Sequence, residues 1–302
     1  MEEPVAPIVI FCFNRPAHTR NMLASLAANP EFADSDTYIF CDGARGERDV
    51  ANVEKTIAVA REFIADPARV IVSGTNKGLK RSIIDGLDYV FQTHSTAIVL
   101  EDDLTFSPQF LGFMNRALDE YADQPKVAQV SGYSFLARED DACVFLPTIN
   151  SWGWATWKDA WFENHPAKAD TEKAARLLKK RQARKQFDFA SAYPFSKILH
   201  DQLYVKNTSW AIWFYFNVFT HNLVTVYPPR SLVNNEGFDG TGTNCRNASN
   251  IRFKFRNESF VYPSTVKFDP KVLKTVKHAM IRERGPLRYV NDTLWRNFRG
   301  FH

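Results

Sequence analysis

Cysteine is scarce in this chain, with four in 302 residues. Cys12, Cys41, Cys143 and Cys245 share no metal-ligand spacing, so a cysteine-held metal is excluded and they read as reduced structural thiols. Long apolar runs are missing too. None approaches the roughly 18 residues that a membrane-crossing helix needs. The opening Met1-Glu2-Glu3-Pro4 is acidic and runs straight into a strand, unlike a secretory leader, so a cytoplasmic protein is expected. No internal repeat and no low-complexity tract is present. What remains is ordinary for a soluble globular protein, 45% hydrophobic and 24% charged, enough for one large α/β domain or two small ones. The net charge of +4 is unevenly spread. From Arg246 onward thirteen Lys and Arg face four Asp and Glu, a net +9, which leaves −5 for the rest. A basic tail on an acidic body points to an anionic surface as partner. No nucleic-acid recognition motif accompanies it, so no nucleic acid is expected.

Ile8 to Phe13 is a continuous apolar run, as a parallel strand covered on both faces requires. Asn14-Arg15-Pro16 breaks it, and an amphipathic segment follows from His18 to Ala28. Thr37 to Cys41 reads as a second strand ending in Asp42-Gly43, Val50 to Ala65 as a helix, and Arg69 to Ser73 as a third strand. Asn76-Lys77-Gly78 turns into a helix from Leu79 to Phe91, and a fourth strand begins at Ala97. Strand and helix alternating in this way predict an α/β fold with a doubly wound, mainly parallel sheet. Beyond Phe113 the pattern is irregular. Val127 to Gly132 fits a strand and Lys168 to Gln186 a strongly basic helix. Val205 to Phe219 fits an apolar helix capped by Asn207, Thr208 or Ser209, and Ser231 to Asn250, rich in Gly and Asn, a mobile loop.

The fourth strand ends abruptly in Glu101, Asp102 and Asp103. Burying three carboxylates without a counter-charge costs several kcal/mol, on the order expected for unpaired ions. A strand that delivers them to its carboxyl end is expected to deliver them to a divalent cation, often one shared with phosphate oxygens. The alternative is a solvated acidic turn before a helix started by Ser107 and Pro108. In doubly wound sheets ligands sit outside the carboxyl ends of the strands, where Asn14-Arg15, Asp42 and Asp102-Asp103 all fall. That convergence favours the metal.

These residues resemble the GT-A class of nucleotide-sugar glycosyltransferases. Within it they are similar to the N-acetylglucosaminyltransferase that begins complex N-glycans and to bacterial polysaccharide glycosyltransferases. The likeness is carried in order by Pro7 to Arg15, Phe40-Cys-Asp42, Val99 to Leu104 with its Glu-Asp-Asp form of the DxD motif, Trp152-Gly-Trp154, and Trp210-Ala-Ile-Trp213. It implies a GT-A, Rossmann-like fold and a UDP-sugar donor, with a metal, Mn²⁺ or Mg²⁺, held by Asp103 and Asp102. Glu101 assists, Asp42 accepts from uracil or ribose, and Arg15 covers the base or pairs with phosphate. Asn76, Lys80 and Arg81 fall near the donor, and Trp152, Trp154 and Trp210 line the nucleotide-sugar site. For the tryptophans a place in the core is the stronger reading, and Trp157 and Trp161, four apart, read as one packed helix face.

The resemblance breaks at one point. The family's helix offers a carboxylate between its tryptophans, whereas this chain has Ala211 and Ile212. An inverting transfer needs a proton acceptor within hydrogen-bond reach, for which Asp201 and Glu236 are the nearest candidates; a retaining mechanism stays open. The loop Asn234 to Asn244, with three glycines and Phe238, is expected to be a lid ordered by the donor.

A metal-dependent glycosyltransferase of bacterial surface polysaccharide assembly is therefore expected, acting on a glycan or lipid-linked acceptor. A non-catalytic carbohydrate-binding protein on a lapsed scaffold is one alternative. A sugar-1-phosphate nucleotidyltransferase is another, though it would want a Gly-rich loop where Asn14-Arg15-Pro16 stands. The expected division is residues 1–250 as the glycosyltransferase domain, 1–115 binding nucleotide and 116–250 sugar and acceptor, with 251–302 a basic extension. Within Pro270 to Arg284, Leu273, Val276 and Met280 share one helical side, and Lys271, Lys274 and Lys277 lie largely on others. Such a helix either docks its stripe on the body or, as the density of charge favours, holds the protein peripherally on an anionic membrane.

Overall fold

The computed structural model describes residues 5–205, 209–239, 252–268, 270–285, 289–293 and 295. In chain order the elements are β1 (Ile8–Cys12), α1 (Pro16–Leu26), β2 (Thr37–Cys41), α2 (Glu47–Phe63), β3 (Val70–Val72), α3 (Leu79–Val90), β4 (Thr96–Glu101), β5 (Leu104–Phe106) and α4 (Phe110–Glu120). They continue with β6 (Val127–Ser131), β7 (Val144–Leu146), β8 (Trp154–Trp157), α5 (Lys158–Glu163), α6 (Thr171–Lys179) and α7 (Arg181–Phe187). The last are α8 (Phe195–Tyr204), α9 (Ala211–Thr220), β9 (Val224–Tyr227), β10 (Val233–Asn235) and α10 (Pro270–Arg284).

Eight strands form one sheet in the order β3-β2-β1-β4-β8-β6-β9-β7. The first four are parallel, and β8 and β7 run against their neighbours. This is the expected α/β, mainly parallel architecture. All five residues of β1 are buried, because both of its faces are covered. Ile8, Ile10 and Cys12 pack towards Met22, Leu23 and Leu26 of α1, while Val9 and Phe11 pack towards Ile83 and Leu87 of α3. Alternation of side chains across the pleat divides them between the two layers. The chain leaves β1 for β2 and β3 on one side and returns to β4 on the other, so the topological switch lies between β1 and β4.

Several expectations for the second half change. Lys168 to Gln186 is two helices, not one: Lys180 is extended (φ −96°, ψ 112°), and buried Arg184 donates to the carbonyl of Leu178 at the end of α6. Trp157 and Trp161 do not share a helix face. Trp157 closes β8 and packs with the α1–α4 layer, whereas Trp161 lies on α5 in the opposite layer. Helix α9 begins at Ala211, with the Ile212 N–H donating to Ser209 Oγ at 3.4 Å; Asn207 and Thr208 lie outside the described residues. Val233 to Asn235, expected in a mobile loop, is a buried strand paired antiparallel with β5. Of the cysteines, Cys12, Cys41 and Cys143 are buried free thiols, and Cys245 lies outside the described residues.

The C-terminal segment is strapped to the body. Two side-chain amides each bond both the N–H and the C=O of one strap residue: Asn234 holds Phe253 at 2.6 and 3.1 Å, and Gln109 holds Glu258 at 2.6 and 2.8 Å. Helix α10 buries Val272, Val276 and Met280 in a cluster with Leu136, Val144, Leu146 and Tyr227. Its apolar stripe is thus used in docking on the far edge of the sheet, which leaves the membrane reading to charge alone. Among the described residues no helix is long and apolar enough to cross a membrane.

Candidate active site

The crevice between the carboxyl ends of β1 and β4 is where an open α/β sheet binds its ligand, and the acidic triplet stands there. Glu101 is the last residue of β4, paired with Phe11 of β1. Asp102 and Asp103 form the corner into β5. From the end of β1, Arg15 Nη2 donates to Asp102 Oδ1 and, at 3.1 Å, to Asp103 Oδ2. The Phe13 N–H reaches Asp102 Oδ2 at 3.4 Å. One guanidinium therefore bonds two of the three carboxyls, and among the described residues Glu101 has no cation of its own.

The electrostatics follow from that imbalance. Burial pushes Glu101 up to about 8, repulsion from Asp103 and Asp102 adds to it, and Arg15 offsets only part. Asp102, buried, is also raised by desolvation, against the pull of Arg15. Burial works against the charge of Arg15, but Asp102 and Asp103 more than compensate and keep it protonated. Its Nη1 is buried with no hydrogen-bond partner.

Asp42 stands at the end of β2, and its carboxylate is engaged by the chain itself. Its carboxylate accepts four hydrogen bonds from the chain: Gly43 N–H at 3.0 Å, Asn76 Nδ2 at 3.0 Å, and the N–H groups of Lys77 and Gly78, each at 2.8 Å. Each oxygen receives two, so the group fixes the turn from β3 into α3, where Gly78 takes φ +74°. Asn76 also donates to the Gly43 carbonyl at 2.8 Å. Gly43 must be glycine because a Cβ would come within 2.6 Å of the Thr75 backbone. Lys80 stands on the first turn of α3, partly exposed, whereas Arg81 is paired with Asp85 at 2.6 Å on an exposed face.

The opposite wall comes from the segment expected to form the lid, 234–244. Pairing of β10 with β5 sets the Glu236 N–H 2.7 Å from the Asp103 carbonyl. Gly237 lies so close to the Asp103 carboxylate that a Cβ would fall 2.2 Å from Oδ2. Glu236 pairs with Arg252, and Asp239 reaches back to His18 of α1 at 3.2 Å. The first part of the expected lid, 236–239, thus crosses the acidic corner; 240–244 lie outside the described residues. Trp152 joins this wall, partly buried, its ring centroid 5.6 Å from Phe238 and 4.8 Å from Tyr133.

Trp154 and Trp210 are packed in the core. Both are buried, stacked on each other at 5.2 Å, and packed against Phe214. Ile212 and Trp213 are buried beside them, so the start of α9 is core. Asp201, on α8, pairs with Lys197 at 2.7 Å and His200 at 3.2 Å. These bonds outweigh its partial burial and hold it below the usual carboxylate range, and neither partner belongs to the acidic corner.

The model of the glycosyltransferase-like family 2 matches residues 4–183, well over half of the chain. The chain belongs to this family. No curated protein matches it. The matched stretch of this glycosyltransferase contains Arg15, Asp42, the acidic corner and Trp152, and ends before Asp201, β10 and the 236–239 segment. Among the described residues, no three Asp, Glu, His or Cys side chains converge as a complete metal cage. The corner does offer hard oxygen donors from Asp102 and Asp103, the type that suits Mg²⁺ or Mn²⁺ when phosphate oxygens and water complete the shell.

Proposed function

We propose that this family 2 glycosyltransferase moves a sugar from a UDP-sugar to a hydroxyl of a glycan or lipid-linked saccharide, in a metal-dependent reaction serving bacterial surface polysaccharide assembly. The observation that carries this reading is the acidic corner at the switch crevice, three carboxyls matched by one guanidinium. Asp103, assisted by Asp102, would hold the cation, which when bound neutralises the departing diphosphate as a Lewis acid.

The remaining roles belong to the chain itself. The unbonded Nη1 of Arg15 donates to a phosphate oxygen, a charge-assisted bond stronger than a neutral one. Asp42 acts through the turn it fixes and presents Asn76 and the start of α3 to the nucleotide. The ring of Trp152 offers a face for the apolar side of a sugar. Glu236 is favoured over Asp201 as proton acceptor, because its backbone is bonded to Asp103 whereas Asp201 is committed to Lys197 and His200. Arg252 keeps Glu236 paired between turnovers.

A panel of nucleotide sugars tests the reading, each offered with Mn²⁺, with Mg²⁺ and with chelator. Metal-dependent release of UDP from one of them, lost in Asp103→Asn, is the expected result. If none is hydrolysed and none raises the melting temperature in either metal, the transferase assignment of this site fails.

A further inference from the structure

Two basic stretches far apart in sequence are tied to one apolar cluster. The first is the corner between α6 and α7. Lys179, Lys180, Arg181 and Lys185 are exposed there, as are Lys168 and Lys173 at the other end of α6, and none of them forms an ion pair among the described residues. Arg176 alone is matched, by Asp170 and Glu172. The corner is a built feature, since buried Arg184 bonds the Leu178 carbonyl from inside while Lys180 turns the chain.

The second is α10. Its inward stripe of Val272, Val276 and Met280 shares one cluster with Phe189 and Ala192, which follow α7 directly. Lys274, His278 and Arg282 remain exposed on the outside. The same cluster contains Leu136, just beyond β6, and Tyr227, the last residue of β9. Both strands run parallel to β4, so α10 docks at the end of the sheet that carries the acidic corner, and the chain leaving α7 packs beside it there.

We infer that this composite flank docks the protein on an anionic phospholipid surface. Among the described residues these cations are unpaired, and they are exposed, which is the condition for long-range attraction to a charged leaflet. No aromatic residue interrupts 168–186, so the stacking platform that single-stranded nucleic acid requires is missing from the corner. The apolar stripe of α10 faces inward, so the contact is electrostatic, without insertion, and is screened by salt. The inference deepens the transferase reading and rests on it in one respect: a leaflet at this end brings the site to a lipid-linked acceptor.

Co-sedimentation of the full chain with phosphatidylcholine vesicles, with and without phosphatidylglycerol, tests it. Binding to the anionic vesicles alone, abolished by high salt, is expected. Lys179→Glu/Lys180→Glu/Arg181→Glu and Lys274→Glu/Arg282→Glu should each lower the partition coefficient by at least about tenfold. Both should keep the wild-type melting temperature and its rate of UDP-sugar hydrolysis without vesicles. Wild-type protein that ignores anionic vesicles, or variants that bind as well as wild type, would overturn the inference. So would equal, equally salt-sensitive binding to single-stranded DNA, which would make the flank a general polyanion surface. Hydrolysis measured without vesicles separates failure here from failure of the transferase assignment.

Discussion

The acidic corner and the pair Trp154–Trp210 stand at the same end of one sheet, and the fold treats them in opposite ways. Asp102 is buried and Glu101 and Asp103 are partly so, with too little positive charge to balance them. The indoles are drawn into the interior and stacked on one another. The difference is one of desolvation. An aromatic ring gains by burial wherever it fits, so its presence beside a site says little about a ligand. A carboxylate loses by burial, so three of them on a strand end must be held there by some use.

Substitutions at the two places should therefore separate activity from stability. Asp103→Asn is expected to lower turnover on the order of 10³-fold or more, with a melting temperature equal to or above wild type, because it removes electrostatic support for the leaving group and relieves repulsion. Loss of fold with loss of activity would erase the contrast. Trp154→Ala should do the reverse, costing about 3–5 kcal/mol of stability by opening a cavity against Trp210 and Phe214. Trp152→Ala, at the partly exposed ring next door, should instead raise the KM for donor with far less change in unfolding midpoint. Asp42→Ala sharpens the comparison, since a carboxylate bonded only to its own chain belongs with the structural group; roughly 2–3 kcal/mol of stability should be lost, and denaturant titration reads it.

Smaller effects refine the picture. Gly237→Ala forces the 236–239 segment off the Asp103 carboxylate and should slow turnover about tenfold while leaving unfolding unchanged. Glu101 gives a pH signature. Its folded value of about 8 lies above the ordinary 4.5, so the folded state keeps a proton that the unfolded chain has released. Stability should then fall as pH rises between those values and level off above them. Glu101→Gln should flatten that decline in melting temperature, and an unchanged slope would show that the carboxyl is ionised throughout.

The alternating first half was readable because each strand there is a short apolar run and each helix a periodic one, so β1 to β4 and the corner followed from pattern alone. The second half was not. β7 and β10 are three residues each and, unlike the equally short β3, are not set in a regular alternation with helices; β10 exists only because β5 gives Val233, Asn234 and Asn235 a partner. The break at Lys180 depends on Arg184 reaching a carbonyl inside the fold. Asp42 shows the limit for the site itself: its place at a strand end was legible, but not the two backbone amides beyond Asn76 that turn towards it. The stripe of α10 was visible, and its partner cluster was assembled from residues scattered from Leu136 to Tyr227.

The pairing of β5 with β10 also sets an order of events in time. A chain emerging from the ribosome has made Asp103 long before it makes Asn235, and β8, which separates β4 from β6, is likewise added from downstream. Contacts of such sequence separation form late, because loop closure must come first. The acidic corner is thus left open during synthesis and receives its wall only when the last strand arrives. We expect a chain ending before Ser231 to retain the β1–β4 layer but bind neither metal nor nucleotide with native affinity. In refolding of the intact chain, recovery of UDP-sugar hydrolysis should lag behind recovery of secondary structure.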